Sequence, residues 1–137
     1  MSEAIALQWS AVDFERAELH VARLKGSSDG THPILGDELR ALRRLQREQS
    51  PASPFVFVSE QGGPLTRSAV HYPFRTIGAA AGIEACHPHQ ARHSAGYQLA
   101  ARGTDSRTLQ AFLGHKYIRH TVRYSALSPA PFRNLWR

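Results

Sequence analysis

Residues 87 to 115 read HPHQARHSAGYQLAARGTDSRTLQAFLGH, a stretch whose punctuation admits two short helices and little else. Pro88 suits a first helical position, where its absent N–H is one that no helical carbonyl would have used. Gly103 stops that helix after about Ala101, because glycine takes the left-handed conformation that closes a helix without a steric penalty. Asp105 or Ser106 caps the next helix, and Gly114 closes it. Short capped helices of this kind are stable only when packed, so the surrounding chain has to supply partners for them.

The preceding residues supply a small sheet and two further helices. SEAIALQW reads as the last turns of a helix. AVDFERAELHVARLKG alternates at Leu19, Val21 and Leu24, which predicts two short strands with a turn at Glu15 and Arg16. KGSSDG is a loop, and THPILG returns as a third strand, an edge strand because Pro33 cannot donate to a ladder. From Asp37, DELRALRRLQRE places Leu39, Leu42 and Leu45 on one helical face. FVFVS is a strand or a buried loop. Thr66 caps RSAVHYPFRTIGAAAGI, which Pro73 should kink or interrupt and Gly82 should end. After Gly114, YIRHTVRYSAL is helical, and SPAPFRNLWR is a terminal segment with Phe132, Leu135 and Trp136 on its apolar side. The fold class is therefore α+β, predominantly helical, with a small three-stranded antiparallel sheet near the N-terminus.

With 137 residues the chain has the length of one domain. No apolar run approaches the ~18 residues that span a bilayer, and MSEAIALQWS has no secretory pattern. The single cysteine, Cys86, permits no intrachain disulfide and suits a reducing cytoplasm. A net charge of +6 favours a polyanionic partner. Of the 17 basic residues only Lys25 and Lys116 are lysines. Arginine grips phosphate with two parallel hydrogen bonds, which lysine cannot do.

On a helix starting near Pro88, His89 and Arg92 share a face. They lie in the first turns, where exposed N–H groups and the helix dipole favour an anion. His89 and His93 also have the His-x-x-x-His spacing of a zinc site, but Arg92 between them adds positive charge, which favours phosphate over metal. His93 reads as a supporting or core residue. Downstream, Tyr124 follows His115 by nine positions. A tyrosine hydroxyl ionises near pH ~10 and becomes a nucleophile only where cations stabilise its anion.

The pattern HPHQARH…LGHKYIRHTVRY resembles the C-terminal catalytic domain of the tyrosine recombinases, the phage-integrase family: His-x-x-Arg, then Leu-Gly-His, then a tyrosine nine residues on. The agreement extends through SEAIALQWSAVDF, RLKG…THP, GGPLTRSAVHY and FRNLWR, and is greatest with the recombinases that invert fimbrial promoter segments. The resemblance implies a site-specific recombinase or integrase that breaks and rejoins double-stranded DNA through a 3′-phosphotyrosine at Tyr124. Arg92 would grip the scissile phosphate, and His115 would stabilise the transition state. His89 would act in proton transfer, as general base towards the tyrosine, and Lys25 would protonate the departing 5′ hydroxyl. Arg123, His120 and Lys116 would contact the DNA backbone. No metal or cofactor is implied, and family members act as tetramers on paired sites.

Three departures qualify the resemblance. The family carries an earlier arginine two residues before the Ser of Gly-Leu-Arg-x-Ser-Glu. The matching serine is Ser2, with Met1 at the intervening x, so that arginine's place lies just outside these residues. Residues 1–137 therefore correspond to a catalytic domain incomplete at its N-terminus and without the core-binding domain. Loss of one such phosphate donor costs roughly a hundred- to a thousand-fold in rate, so the isolated chain is expected to cleave slowly or not at all. Ala91 and Ala11 also replace the usual Leu and Asp. The rival readings are a DNA-binding or regulatory module that has lost its chemistry, and a metal-dependent hydrolase built on the histidines.

Overall fold

The computed structural model describes residues 1–22 and 29–126. The loop holding Lys25 and the terminal SPAPFRNLWR segment lie outside the described residues. The elements run α1 (Ser2–Ile5), a 3-10 turn (Trp9–Ala11), β1 (Val12–Asp13), β2 (Glu18–Val21), β3 (Gly30–Pro33), α2 (Gly36–Glu48), α3 (Arg67–Ala80), α4 (Pro88–Ala101), α5 (Ser106–Leu113) and α6 (Arg119–Ala126). The strands form one antiparallel sheet in the order β1-β2-β3. Leu19 pairs with Val12 on one side and His32 on the other. Pro33 accordingly lies on an edge strand, where its missing donor leaves no ladder bond unmade. The turn at Glu15 and Arg16 forms because Asp13 Oδ1 accepts both of their backbone N–H groups, at 3.0 and 2.9 Å.

Two apolar clusters hold the molecule together. Val12, Ile34 and Val56 form the first, against Leu7, Trp9, Leu39 and Leu42. FVFVS is a loop anchored by the buried Val56 rather than a full strand: it makes only isolated bridges, Gln8 with Phe55 and Val58 with Pro64. Gln49 ties it to its neighbours by accepting from Trp9 Nε1 at 3.1 Å and donating to the Phe55 carbonyl at 2.9 Å. Ala100, Leu109, Leu113 and Tyr124 form the second cluster, where α4, α5 and α6 meet. His32 of β3 edges against the Phe112 ring at 5.3 Å, connecting the sheet to the three-helix unit.

Pro73 does not interrupt α3, which continues on both sides of it. Pro73 and Ala69 are both exposed, so water can satisfy the Ala69 carbonyl that the proline leaves without its helical donor. The other boundaries follow from local chemistry. Thr66 Oγ1 accepts from Ala69 N at 3.2 Å, Asp105 Oδ1 accepts from Arg107 and Thr108 N at 3.0 Å, and Gly114 closes α5 at φ +66°.

Gly96, in the middle of α4, is a packing requirement. A Cβ built there would meet three Tyr124 ring atoms at 3.0 to 3.1 Å. Helix propensity alone makes Gly→Ala favourable by about 1 kcal/mol. The Tyr124 ring cannot yield, since it lies between Tyr97 and His115 and over the Leu109 cluster. Overpacking of this kind costs about 1–3 kcal/mol. Gly96→Ala should therefore lower stability in denaturant unfolding, and a stabilised variant would show that the ring has room to move.

Candidate functional site

The candidate residues converge at the junction of α4, α6 and the loop between α5 and α6. Arg92, on the second turn of α4, donates to the backbone carbonyl of Leu113. That bond holds its guanidinium where α5 ends, beside Gly114 and His115. The residues around it enclose an open cleft of about 230 Å³, lined by Glu3, Arg92, His115, Lys116, Tyr117 and His120. Arg92 and Lys116 outweigh the Glu3 carboxylate there, so the cleft carries a net positive charge that favours an anionic ligand.

His115 is oriented from behind. Its Nδ1 is 2.8 Å from the hydroxyl of Thr121, a threonine with 0% exposure. When that hydroxyl donates, Nε2 keeps its proton and becomes a donor towards the cleft. Thr121 lies one helical turn before Tyr124, and its full burial is what marks it. A polar residue at i−3 from the candidate nucleophile is the sequence signal that could have located it. Thr121→Val deletes the hydroxyl at nearly constant volume and should cost about 1–3 kcal/mol, readable by chemical denaturation.

Tyr124 occupies the centre of the helical unit, with 1% exposure. Its ring edges against Tyr97 at 4.9 Å and lies nearly parallel to His115 at 6.3 Å and 17°. The hydroxyl is 2.8 Å from His93 Nδ1 and accepts from Arg123 Nη2 at 3.1 Å. Arg123 also donates to His93 Nδ1 at 3.3 Å, and its guanidinium carbon lies 5.0 Å from the Tyr124 ring centre. Burial, followed by the charges of Arg123, His89, Arg92 and His87, holds the His93 imidazole below the ordinary histidine range. Tyr124 does not line the cationic cleft; His115 is the wall common to both.

The remaining candidates are more exposed. His89 is exposed, its ring 6.3 Å from that of His87. Lys116 lies 5.5 Å and Arg119 4.9 Å from the centre of the Tyr117 ring. His120 lies 6.0 Å from His115. Among the described residues no three His, Cys, Asp or Glu side chains converge as a metal site. No helix among them is long and apolar enough to cross a membrane.

The arrangement has counterparts in known proteins. The family model described as the phage integrase family matches residues 1–130. The type 1 fimbriae regulatory protein FimE of Escherichia coli K12 is 37% identical, with 99% of this chain aligned to 72% of FimE. FimB of the same strain is 39% identical, with 98% of this chain aligned to 70% of FimB. The crystal structure of XerA recombinase superposes with a TM-score of 0.79 at 26% identity, over 96% of this chain. This chain spans about half the length of that XerA chain, 50%. The family match over residues 1–130 and the likeness to FimE place this chain in the phage integrase family, to which it belongs.

Proposed function

We propose that this chain is the catalytic part of a site-specific DNA recombinase that breaks and rejoins double-stranded DNA through a 3′-phosphotyrosine at Tyr124. The observation that carries the reading is the junction itself: a tyrosine hydroxyl bonded to histidine and arginine, one ring away from a cationic cleft holding Arg92 and His115. Phosphoryl transfer needs an in-line nucleophile, cationic stabilisation of the phosphorane and an acid for the leaving oxygen.

In this reading Arg92 grips the scissile phosphate and His115 donates to it through Nε2. The resemblance gives the general-base role towards Tyr124 to His89, and Lys25 protonates the 5′ oxygen. Arg123, His120 and Lys116 contact the flanking backbone. The phosphotyrosine conserves the phosphodiester energy, so rejoining needs no cofactor or metal. The likeness to FimE and FimB favours inversion of a promoter segment as the setting. As part of a longer protein the chain would assemble as a tetramer on paired sites in the cytoplasm.

A second reading, a DNA-binding module that does not cleave, is favoured by the burial of Tyr124. The two separate on a suicide duplex, nicked so that the released strand diffuses away, bearing a site selected by this chain from random duplexes. The recombinase reading expects a covalent adduct that survives denaturation, maps by mass spectrometry to the Tyr124 peptide and persists in chelator. Tight binding without an adduct after prolonged incubation, by a longer form of the protein that carries the preceding arginine, overturns it in favour of the second reading.

A further inference from the structure

The resemblance assigns proton transfer to His89, yet the Tyr124 hydroxyl meets a different histidine. His93 sits one helical turn further along α4, and its Nδ1 lies 2.8 Å from the Tyr124 oxygen. The pattern of donors determines which way that bond runs. A guanidinium has only N–H groups and cannot accept. Arg123 Nη2 lies 3.3 Å from Nδ1 and 3.1 Å from the tyrosine oxygen, and donates to both. Nδ1 is therefore the unprotonated nitrogen, and the tyrosine proton points at it. An activated nucleophile shows this pattern: hydroxyl and base within hydrogen-bond reach, with a third group orienting the base.

We propose that His93 is the catalytic base that takes the Tyr124 proton, and that Arg123 covers the pair until a DNA phosphate draws it away. The proposal rests on the recombinase reading above. As the Tyr124 oxygen bonds to phosphorus, its O–H bond breaks and an N–H bond forms at His93 Nδ1. The 5′ oxygen leaves with the electron pair of the broken P–O bond and takes a proton from Lys25 or from solvent. On rejoining, His93 returns the proton to the departing tyrosine oxygen. Arg123 stabilises the phenolate while it lies beside it. It is also the outer layer over Tyr124: the residue is exposed, and its guanidinium lies across the ring and against the hydroxyl. A cation in that position can exchange the tyrosine for a phosphate, so DNA contact and exposure of the nucleophile become one event.

The surroundings keep His93 in the form that a base requires. Arg123 of α6, His89 and Arg92 of α4, and His87 at its cap all disfavour a second proton, as does burial. The pH dependence follows from the sign of that shift. The base form persists down to a pH below the ordinary histidine range and is lost as pH falls through the His93 value. Adduct formation should therefore show an acid limb that falls as His93 takes up a proton.

The test compares His93→Asn and His89→Asn with the wild type on the selected suicide duplex, in single turnover across pH 4.5 to 8, roughly the span over which histidines titrate in proteins. Asparagine places an acceptor where Nδ1 stood but cannot take the proton. His93→Asn should bind the duplex as the wild type does, form adduct about a hundred-fold more slowly, and lose the acid limb. His89→Asn should retain that limb. Adduct formation by His93→Asn at the wild-type rate with the limb intact overturns the proposal and leaves the recombinase reading standing; no adduct from a longer wild-type protein that carries the preceding arginine removes both. Nitrogen NMR of the DNA-free wild-type chain gives a readout independent of whether the variant folds. It should show His93 protonated on Nε2 alone at neutral pH, and Tyr124→Phe should raise the His93 titration point. An Nδ1-protonated His93 overturns the proposal.

Discussion

Tyr124→Phe will form no covalent DNA adduct while keeping the fold and binding the duplex within a few-fold of wild type. The substitution removes one oxygen and nothing else. The packing of α6 on α4 depends on the ring, which meets Gly96, Tyr97 and His115 through its carbon atoms. The hydroxyl loses two partners, but neither is abandoned. Arg123 still donates to His93 Nδ1 at 3.3 Å, so that nitrogen retains a donor. The stability cost should stay at about 1 kcal/mol, within reach of denaturant unfolding. The chemical effect is complete because phenylalanine has no atom to attack phosphorus. Tyr117 is the control within the same molecule: it lines the cationic cleft and is exposed. An adduct that persists in Tyr124→Phe and maps to Tyr117 would sink the assignment of the nucleophile.

Arg92→Ala should slow adduct formation by about two to three orders of magnitude and weaken duplex binding far less. A single phosphate among many contacts contributes little to affinity, but the scissile one gathers charge in the transition state. Arg92→Lys should recover little of the loss. The Arg92 guanidinium donates to the Leu113 carbonyl and faces the cleft from the same planar fork. An ammonium is a point charge on a flexible stem and cannot hold both directions. Single-turnover rates on the suicide duplex, together with binding titrations, separate the two effects. A lysine variant at the wild-type rate would mean that charge alone matters, and that the bond to Leu113 does not position the side chain.

How much of this was legible in the chain depends on the range of the interaction. Asp105, Gly114 and Thr66 bound their helices where the residue types require, because a cap satisfies N–H or carbonyl groups within three or four positions of itself. Pro73 leaves α3 uninterrupted for a related reason. The cost of a proline inside a helix depends on whether water reaches the orphaned carbonyl, and exposure of that face is decided by what α3 packs against. The residues of FVFVS admit strand or loop, and Gln49, reaching from the end of α2, holds it as a loop.

The site divides in the same way. The order and spacing of Arg92, His115 and Tyr124 are written in the sequence and carry the family resemblance, because separations along the chain persist when the helices carrying the residues keep their lengths. Which groups touch the tyrosine is not written there. His89 and His93 are one helical turn apart on the same helix, and no periodicity distinguishes between them. The choice is made where α6 crosses α4 at Gly96: the missing Cβ lets the Tyr124 ring lie against the helix backbone and brings its hydroxyl to His93. Thr121 behind His115 is likewise visible only once its burial is known. The sequence by itself determined the caps, the charge and the family, since these depend on neighbours within a turn or on fixed separations. The tertiary structure decided the partners of Tyr124, because they depend on how closely two helices approach, and a single glycine sets that distance.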